Sequence, residues 1–471
     1  MPSVSGRALR PSGFAPVLLA NLLPLVGVLA FGWNPATLLV VYAAEVLVSF
    51  PIAALKALFA AKRPQSDRDG VVSVGDAVLT GKRGSVRPVA WLPPIYPRNV
   101  PFAASVLGAG AWFGVFAVFP VAAAIGPGAV DWSVAGPSTL ALVAGQCIDV
   151  WRDYLRDGRY ETTSPYAVVE TPARQTFLLV VGLFALSELA ASTPLLGVFV
   201  LVKLGVEYSA FRAAHGDTGR LTGWLAGPDG GAETADPPAV SGPPTLRVRT
   251  DRRAVLWAGV TRTADQYLPF YVSGAAFLWL VLVGVLSGIG APRVVAVGAA
   301  LGVAVLVVLA AAVRVAAFYL RYGPLEYRRY DDRLVAYDRW LERPQWAVDA
   351  DTLRDVRVVG RVPDRLLGTR TVTATAGWGD HERTRTFGPV ADPDALIEGF
   401  GLPVRSAALD PVDRRLALVG GGLAAVSVVT VGALAVADAG ALVVVAFAAP
   451  FVVLVPRVLW HYANPNSPQS D

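Results

Sequence analysis

Five ionisable side chains lie inside long apolar runs of the first half of the chain: Glu45, Asp149, Glu188, Lys203 and Glu207. Asn21 and Gln146 add neutral polar groups to the same runs. A charge in an apolar span is costly, so it faces a bundle interior, paired or hydrated. Lys203 and Glu207 are four residues apart and share one face of a helix. Measured from the outer end of each run, Asn21, Glu45, Asp149 and Lys203 lie about 12 to 16 Å deep at 1.5 Å per residue. Four helices thus bring polar groups to one level, where Lys203 meets Glu45 or Asp149 across a helix interface. Glu207 sits one turn deeper, and Glu188 lies nearer the outer surface. Three chemistries fit this set. One is a buried ion pair that fixes helix register. Another is a midplane site for a proton, an ion or a small polar solute. The third is an intramembrane enzyme, with Glu45 or Asp149 as an acid or base of raised pKa.

Other candidates have plainer readings. The lone Cys147 rules out an intrachain disulfide and reads as a packing residue. Three scattered histidines, His215, His381 and His461, do not make a zinc site of the usual spacing. The sequence has no phosphate-binding glycine loop, no HExxH and no GxSxG. No catalytic residue, metal or cofactor is assigned. Gly108, Gly110 and Gly114 read as close helix contacts, and Trp33, Trp132 and Trp460 as residues of membrane interfaces.

The elements that must position the polar set are helices. Only 16% of the 471 residues are charged, and the mean hydropathy is +0.50. Apolar blocks long enough to cross a bilayer recur along the chain. They fall at 14–31, 36–60, 101–125, 138–155, 175–191, 195–211, 268–288, 294–320, 415–436 and 440–459. The expected fold class is mainly α, a polytopic membrane protein of about ten transmembrane helices. The short connections "GWNP", "GPGAVDWSVAG", "ASTP", "SGIGAPR" and "ADAG" hold a single arginine, Arg293. The long ones carry most of the remaining basic residues, so both termini and the long loops are expected to be cytoplasmic in a multi-pass cell-membrane protein. The net charge of +5 is not read as a nucleic-acid signal, because the basic residues flank hydrophobic spans.

Residues 216–244, rich in Gly, Pro and Asp, read as a flexible linker. The expected division is a six-helix domain with a polar interior (1–215), the linker (216–244), and a juxtamembrane segment with a helical hairpin (245–321). A β-rich insert (322–414) and a C-terminal hairpin with a short tail (415–471) follow. In the insert, "LEYRRY", "RLVAYDRW", "QWAVDA", "LRDVRVVG" and "TRTVTATA" read as strands, and "DPDALIEGF" as a helix with Asp392 near its cap. The stretch "LRDVRVVGRVPDRLLGTRTVTATA", with a preceding "VLWAGVTRTADQYLPFYV", resembles the bacterial pleckstrin-homology-like domain of small membrane proteins. That resemblance implies a half-open barrel of two sheets closed by a helix, following a transmembrane pair.

The first half resembles a second family, an uncharacterised archaeal and bacterial multi-pass membrane domain. The residues that carry this are "LLANLLPLVGVLAFGW", "VVYAAEVLV", "PPIYPRNVPF", "DYLRDGRYETTSPYAVVETPARQTFLLVVGLF" and "LVKLGVEY". Where the family pattern has Tyr-Trp-x-Glu, this chain has Tyr42-Ala43-Ala44-Glu45. That family has no established activity. The leading expectation is therefore a non-enzymatic envelope scaffold or sensor acting through the insert, by binding a protein partner or a second copy through 322–414. A transporter or channel and an intramembrane enzyme stand as alternatives. Membrane lipids are the other expected partner, through the arginine stripe Arg247, Arg249, Arg252, Arg253 and Arg262, for which positive-inside bias alone is the plainer explanation. The insert itself has no net basic field, with 12 arginines against 14 acids over 325–400.

Overall fold

A computed structural model describes residues 18, 22, 26–64, 79–114, 128, 130–187, 193–214, 224, 231–232, 242–288, 290, 292–377, 382–404, 408–437 and 454–466. The chain divides into two units. The first comprises 1–76 and 87–234, the second 77–86 and 235–471.

The first unit is built on α1 (Pro35–Phe59). Asn34 caps its start by accepting from the Ala36 amide at 2.9 Å, with Pro35 in the first helical position. Helices α2 (Val100–Phe113), α3 (Trp132–Asp149) and α4 (Pro165–Ser187) all pack against α1. α5 (Thr193–Ala214) packs on α4 and also reaches α1, where Val200 buries against Leu38 and Tyr42. α3 runs on into a π-helical stretch, Val150–Arg156. α2 comes close to α1 because Gly110 has no side chain; a Cβ there would lie 2.6 Å from Phe50. Ala53, Ala54 and Ala57 of α1 bury against Phe102, Val106, Tyr166 and Val169. A two-residue ladder joins β1 (Arg63–Pro64) to β2 (Gly231–Ala232). So part of the stretch read as a linker is ordered by pairing.

The C-terminal turn of α1 ends among other backbone segments, and donors from elsewhere reach its carbonyls. Asn99, wholly buried, donates from Nδ2 to the carbonyls of Ala57 at 2.8 Å and Ala60 at 2.9 Å. The Tyr154 hydroxyl donates to Lys56 O at 2.9 Å and the Tyr96 amide to Leu58 O at 3.0 Å. Arg98, 2% exposed, donates to Ala61 O.

The second unit holds two antiparallel sheets. Strand β3 (Leu246–Arg249) precedes α6 (Arg252–Gln266), α7 (Leu268–Gly288) and α8 (Arg293–Tyr322). Strands β4 (Leu325–Tyr330), β5 (Arg333–Asp338) and β6 (Arg343–Asp349) complete a four-stranded sheet in the order β3-β4-β5-β6. Then β7 (Leu353–Val359), α9 (Val362–Leu367), β8 (Arg370–Ala376) and β9 (Arg383–Val390) follow. β7, β8 and β9 form the second sheet. The sheets bury a common core containing Tyr327, Trp346, Phe387 and Phe400. The last of these comes from α10 (Pro393–Phe400), capped by Asp392 through the Ala395 amide at 2.9 Å. α11 (Arg414–Ala437) packs at Gly420 against Leu459 of a last helical stretch, 454–463.

Two expectations are corrected. Three helices among the described residues, not about ten, are long and apolar enough to cross a membrane: Ala36–Phe59, Leu268–Gly288 and Arg293–Tyr322. The expected third span, 101–125, is described only as far as residue 114. The apolar runs of α4 and α5 are interrupted, by Glu170 and Arg174 in one and by Lys203, Glu207 and Arg212 in the other. The expected first and last spans fall largely outside the described residues. The second correction concerns the β-rich part, which is not confined to an insert after the hairpin. Its edge strand β3 lies before the hairpin and pairs with β4 from Leu246↔Arg329 to Arg249↔Glu326.

We expect Asn99→Leu to lower the stability of the full-length protein by about 1–3 kcal/mol, because two buried carbonyls lose their donor. Asn99→Asp, near-isosteric but with no amide donor, should fail to rescue it. Thermal unfolding in lipid nanodiscs checks this, and a wild-type-like Asp variant would reduce the effect to packing.

Candidate functional site

α1 and α5 bring two of the sequence-selected carboxylates onto one cation. Lys203 is 1% exposed. Its Nζ lies 3.0 Å from Glu45 Oε2 and in direct contact with Glu207 on its own helix. The ammonium also stands 4.7 Å from the centre of the Tyr42 ring, in cation–π geometry. Tyr42 and Glu45 are three residues apart on α1, so one helix face offers a ring and a carboxylate together. Glu207 is one turn from Lys203. The site consists of one cation, two anions and an aromatic face. Position 43 of the departed Tyr-Trp-x-Glu pattern is alanine, and Tyr42 supplies the ring that meets the lysine.

The other members of the expected midplane set go elsewhere. Asp149 ends α3 at an exposed position, and its charged neighbours are Lys56, Asp153 and Arg152. Lys56 is 11 residues along α1 from Glu45, about 16 Å at 1.5 Å per residue. Equal counting from run ends put the two carboxylates at one level, but helix α3 extends further than its apolar run and carries Asp149 to the other end of α1. Gln146 is half-buried, and its Oε1 is enclosed without a hydrogen bond. Asn21 and Glu188 lie outside the described residues. Among the described residues no group of three or more His, Cys, Asp and Glu side chains is placed to hold a metal ion.

Residues that composition and periodicity did not single out form two further buried charge sites. In α4, Glu170 is wholly buried and pairs with Arg174 at 2.6 Å. Arg174 also donates to the Trp224 carbonyl and lies 4.9 Å from the Trp224 ring centre. The i,i+4 spacing in "VVETPARQ" was the available signal. In the second unit, Lys82 pairs with the fully buried Asp338 at 2.6 Å and donates to the Leu320 carbonyl. Beside it, the Arg83 amide donates to Gln345 Oε1 at 2.8 Å, and Gln345 Nε2 returns a bond to Arg83 O at 3.0 Å. Nothing in the local sequence pairs positions this far apart.

The arginine stripe is divided by the fold. Arg249 is spent on Glu326, at 3.0 Å, where Arg328 also pairs at 2.8 Å. Arg262 bonds Gln266 at 2.9 Å along α6. Arg247, Arg252 and Arg253 are exposed. Burial pushes the Glu326 carboxyl up, but hydrogen bonds and charge from Arg249 and Arg328 outweigh it and hold it below the ordinary glutamate range.

Lys203→Met should cost more than Glu45→Gln, because it leaves two carboxylates facing each other while the Glu45 variant leaves Lys203 paired with Glu207. Breaking a buried pair costs about 3–5 kcal/mol. The triple variant Lys203→Met, Glu45→Gln, Glu207→Gln should recover most of the loss, as read from a stability cycle in bilayers. A second outcome concerns pH. A depressed carboxyl stabilises the fold above its unfolded pKa, and that contribution is lost as pH falls through the lowered folded value. The acid limb of unfolding should therefore shift in Glu326→Gln; a profile identical to wild type would remove Glu326 from the acid transition.

Residues 4–221 match a family of unknown function, DUF6498. No curated protein and no solved structure matches the chain. The family match bears on the N-terminal resemblance alone; the pleckstrin-homology-like reading of the second half rests on its strand pattern.

Proposed function

We propose that this is a non-enzymatic membrane scaffold or sensor, whose helices anchor it and whose two-sheet module acts on a protein partner or a second copy. The observation that supports this most is the closure of the Lys203 site. Its ammonium meets two carboxylates and a ring, all supplied by α1 and α5, so its charge is consumed in joining helices. Asp149 lies far along α1, so one of the carboxylates expected at a midplane carrier site is not beside Lys203. The module has the features of an interaction domain: seven strands in two sheets, a shared aromatic core and a closing helix. Its resemblance to pleckstrin-homology-like domains supports the same reading.

The three apolar helices support membrane association. We read the protein as multi-pass. α7 and α8 form a hairpin with Arg293 near its tip and the sheet strands β3 and β4 at its other end. The positive-inside bias of the long connections supports a cytoplasmic position for the sheets.

The test is photocrosslinking of the full-length protein in native membranes, with the crosslinker at Trp340, half exposed in the turn after β5. A discrete adduct, with itself or another protein, is expected. The same protein in proteoliposomes should show no ion or proton flux that depends on Lys203. Flux abolished by Glu45→Gln, with no adduct from the module, would overturn the scaffold reading in favour of transport.

A further inference from the structure

Helix α6 has two different faces. One is packed: Val255, Ala258 and Gly259 bury against Phe318 of α8. The opposite face is apolar and open, with Leu256 46%, Trp257 56% and Val260 38% exposed. The exposed Arg252 and Arg253 stand at its N-terminal end. The short helix α9 packs against α6 and repeats the pattern. It carries the first four residues of the stretch "DRLLGT", Asp364 to Leu367. Asp364 is its buried anchor, accepting from the Arg361 amide at 3.1 Å, the Thr369 hydroxyl at 2.9 Å and the Thr371 hydroxyl at 3.4 Å. With Asp364 held inward, Leu366 is turned outward and is 80% exposed, and Leu367 is 44% exposed.

The neighbours of both helices fix what covers these side chains. α6 is separated from the apolar helix α7 by Tyr267 alone, and Phe270 continues the open apolar surface at 64% exposure. Arg314 of α8 bonds the Tyr271 hydroxyl at 3.1 Å and lies 4.6 Å from the Tyr267 ring centre. Tyrosine and arginine together at one end of an apolar hairpin mark headgroup level. α9 is also tied to the other helices of the unit. Arg365 donates to Asn464 Oδ1 at 2.6 Å and to Asp410 O at 2.9 Å, where the 454–463 helix ends and α11 begins.

We propose that α6 and α9 form a membrane-interface shelf. Leu256, Trp257, Val260 and Leu366 sink into the headgroup–acyl boundary of an anionic leaflet, and Arg252 and Arg253 meet its phosphates. The inference rests on the membrane reading of α7 and α8. The occupant is lipid rather than protein because the open face is continuous with the hairpin surface and is headed by the exposed side chains of Arg252 and Arg253. An amphipathic helix of this composition lies in the interface plane.

The test uses the full-length chain carrying Cys147→Ala, in nanodiscs of phosphatidylcholine with and without phosphatidylglycerol. A fluorophore is placed singly through Leu256→Cys, Leu366→Cys, Val305→Cys on the open flank of α8, or Asp332→Cys in the turn between β4 and β5. Quenching by shallow spin-labelled lipid should be strong at positions 256 and 366 and absent at 332, while deep-labelled lipid quenches position 305. Charge reversal by Arg252→Glu with Arg253→Glu should cut shallow quenching at position 256 by about twofold or more in the anionic discs. If position 305 is quenched but 256 and 366 behave like 332, the shelf is overturned and the membrane reading stands. If a photoreactive benzophenone put on the 256 cysteine in place of the fluorophore crosslinks to protein, the face belongs to a partner and the shelf is likewise overturned. No quenching at 305 overturns the membrane reading and the shelf with it.

Discussion

A helix that ends inside a protein leaves its last carbonyls without partners, and the first unit is organised around meeting that requirement for α1. Three of them, at Lys56, Ala57 and Leu58, and the next two carbonyls at Ala60 and Ala61 receive donors from Tyr154, Asn99, Tyr96 and Arg98. Three of those four residues fall in the single stretch "PPIYPRNVPF", and the fourth comes from the π-helical extension of α3. The stretch is thus a cap supplied in trans. Having capped α1, it immediately begins α2, so the same residues that satisfy one helix fix where the next one starts. Tyr160 and Thr163 complete the join by accepting from the amides of Ala61 and Lys62, at 2.8 and 3.2 Å. The alanines of α1 then allow α2 and α4 to approach closely.

The Lys203 site is the second fixed point along α1, about three turns earlier. An ammonium removed from water needs its charge offset and its protons bonded, or the helix pair would separate to admit solvent. Glu45 supplies the charge from across the interface, Glu207 from within α5, and Tyr42 closes the remaining side. Two anions surround one cation, and neither acid can leave without exposing the lysine. The arrangement is therefore a register lock, in which sliding α5 by one turn would strand Lys203 against the apolar side chains of α1.

How much of this could be read from residues alone varies by interaction range. Helices, most strands of the insert, and the cap at Asp392 came from local patterns of period, branching and spacing, and the Lys203–Glu207 face from i,i+4 spacing. The partner across the interface was narrowed to Glu45 or Asp149, and only packing chooses between them, because α3 outruns its apolar segment. The span count failed because composition marks apolar runs and not how far a continuous helix extends: Arg174, Lys203 and Arg212 are paired or placed at helix positions that hydropathy averages over. β3 was missed for another reason. Four residues, "LRVR", alternate too briefly to signal a strand, and their partner lies about eighty residues away on the far side of a hairpin. Lys82 and Asp338 were invisible for the same reason.

That misplaced strand has a mechanical consequence. Because β3 and β4 are neighbours, the whole α6–α7–α8 excursion is an insertion between two hydrogen-bonded strands of one sheet. The sheet therefore clamps both ends of the hairpin. Thr250 reinforces the clamp, its hydroxyl lying 3.0 to 3.1 Å from the carbonyls of Tyr322, Gly323 and Leu325 where α8 turns into β4. Asp251 follows directly as the N-cap of α6, accepting from the Ala254 amide at 2.8 Å. At the end of the neighbouring strand β5, Lys82 bridges Asp338 to the Leu320 carbonyl near the end of α8. A module joined to a helical pair by a flexible linker could bind its partner without disturbing the helices. Here both ends of the pair are strands or caps of the module itself, so a shift of the four-stranded sheet must be carried into α6 and α8. On the scaffold reading proposed above, a partner engaged by the sheets would be coupled to α6 and α8 by hydrogen bonds already in place, with no separate relay required.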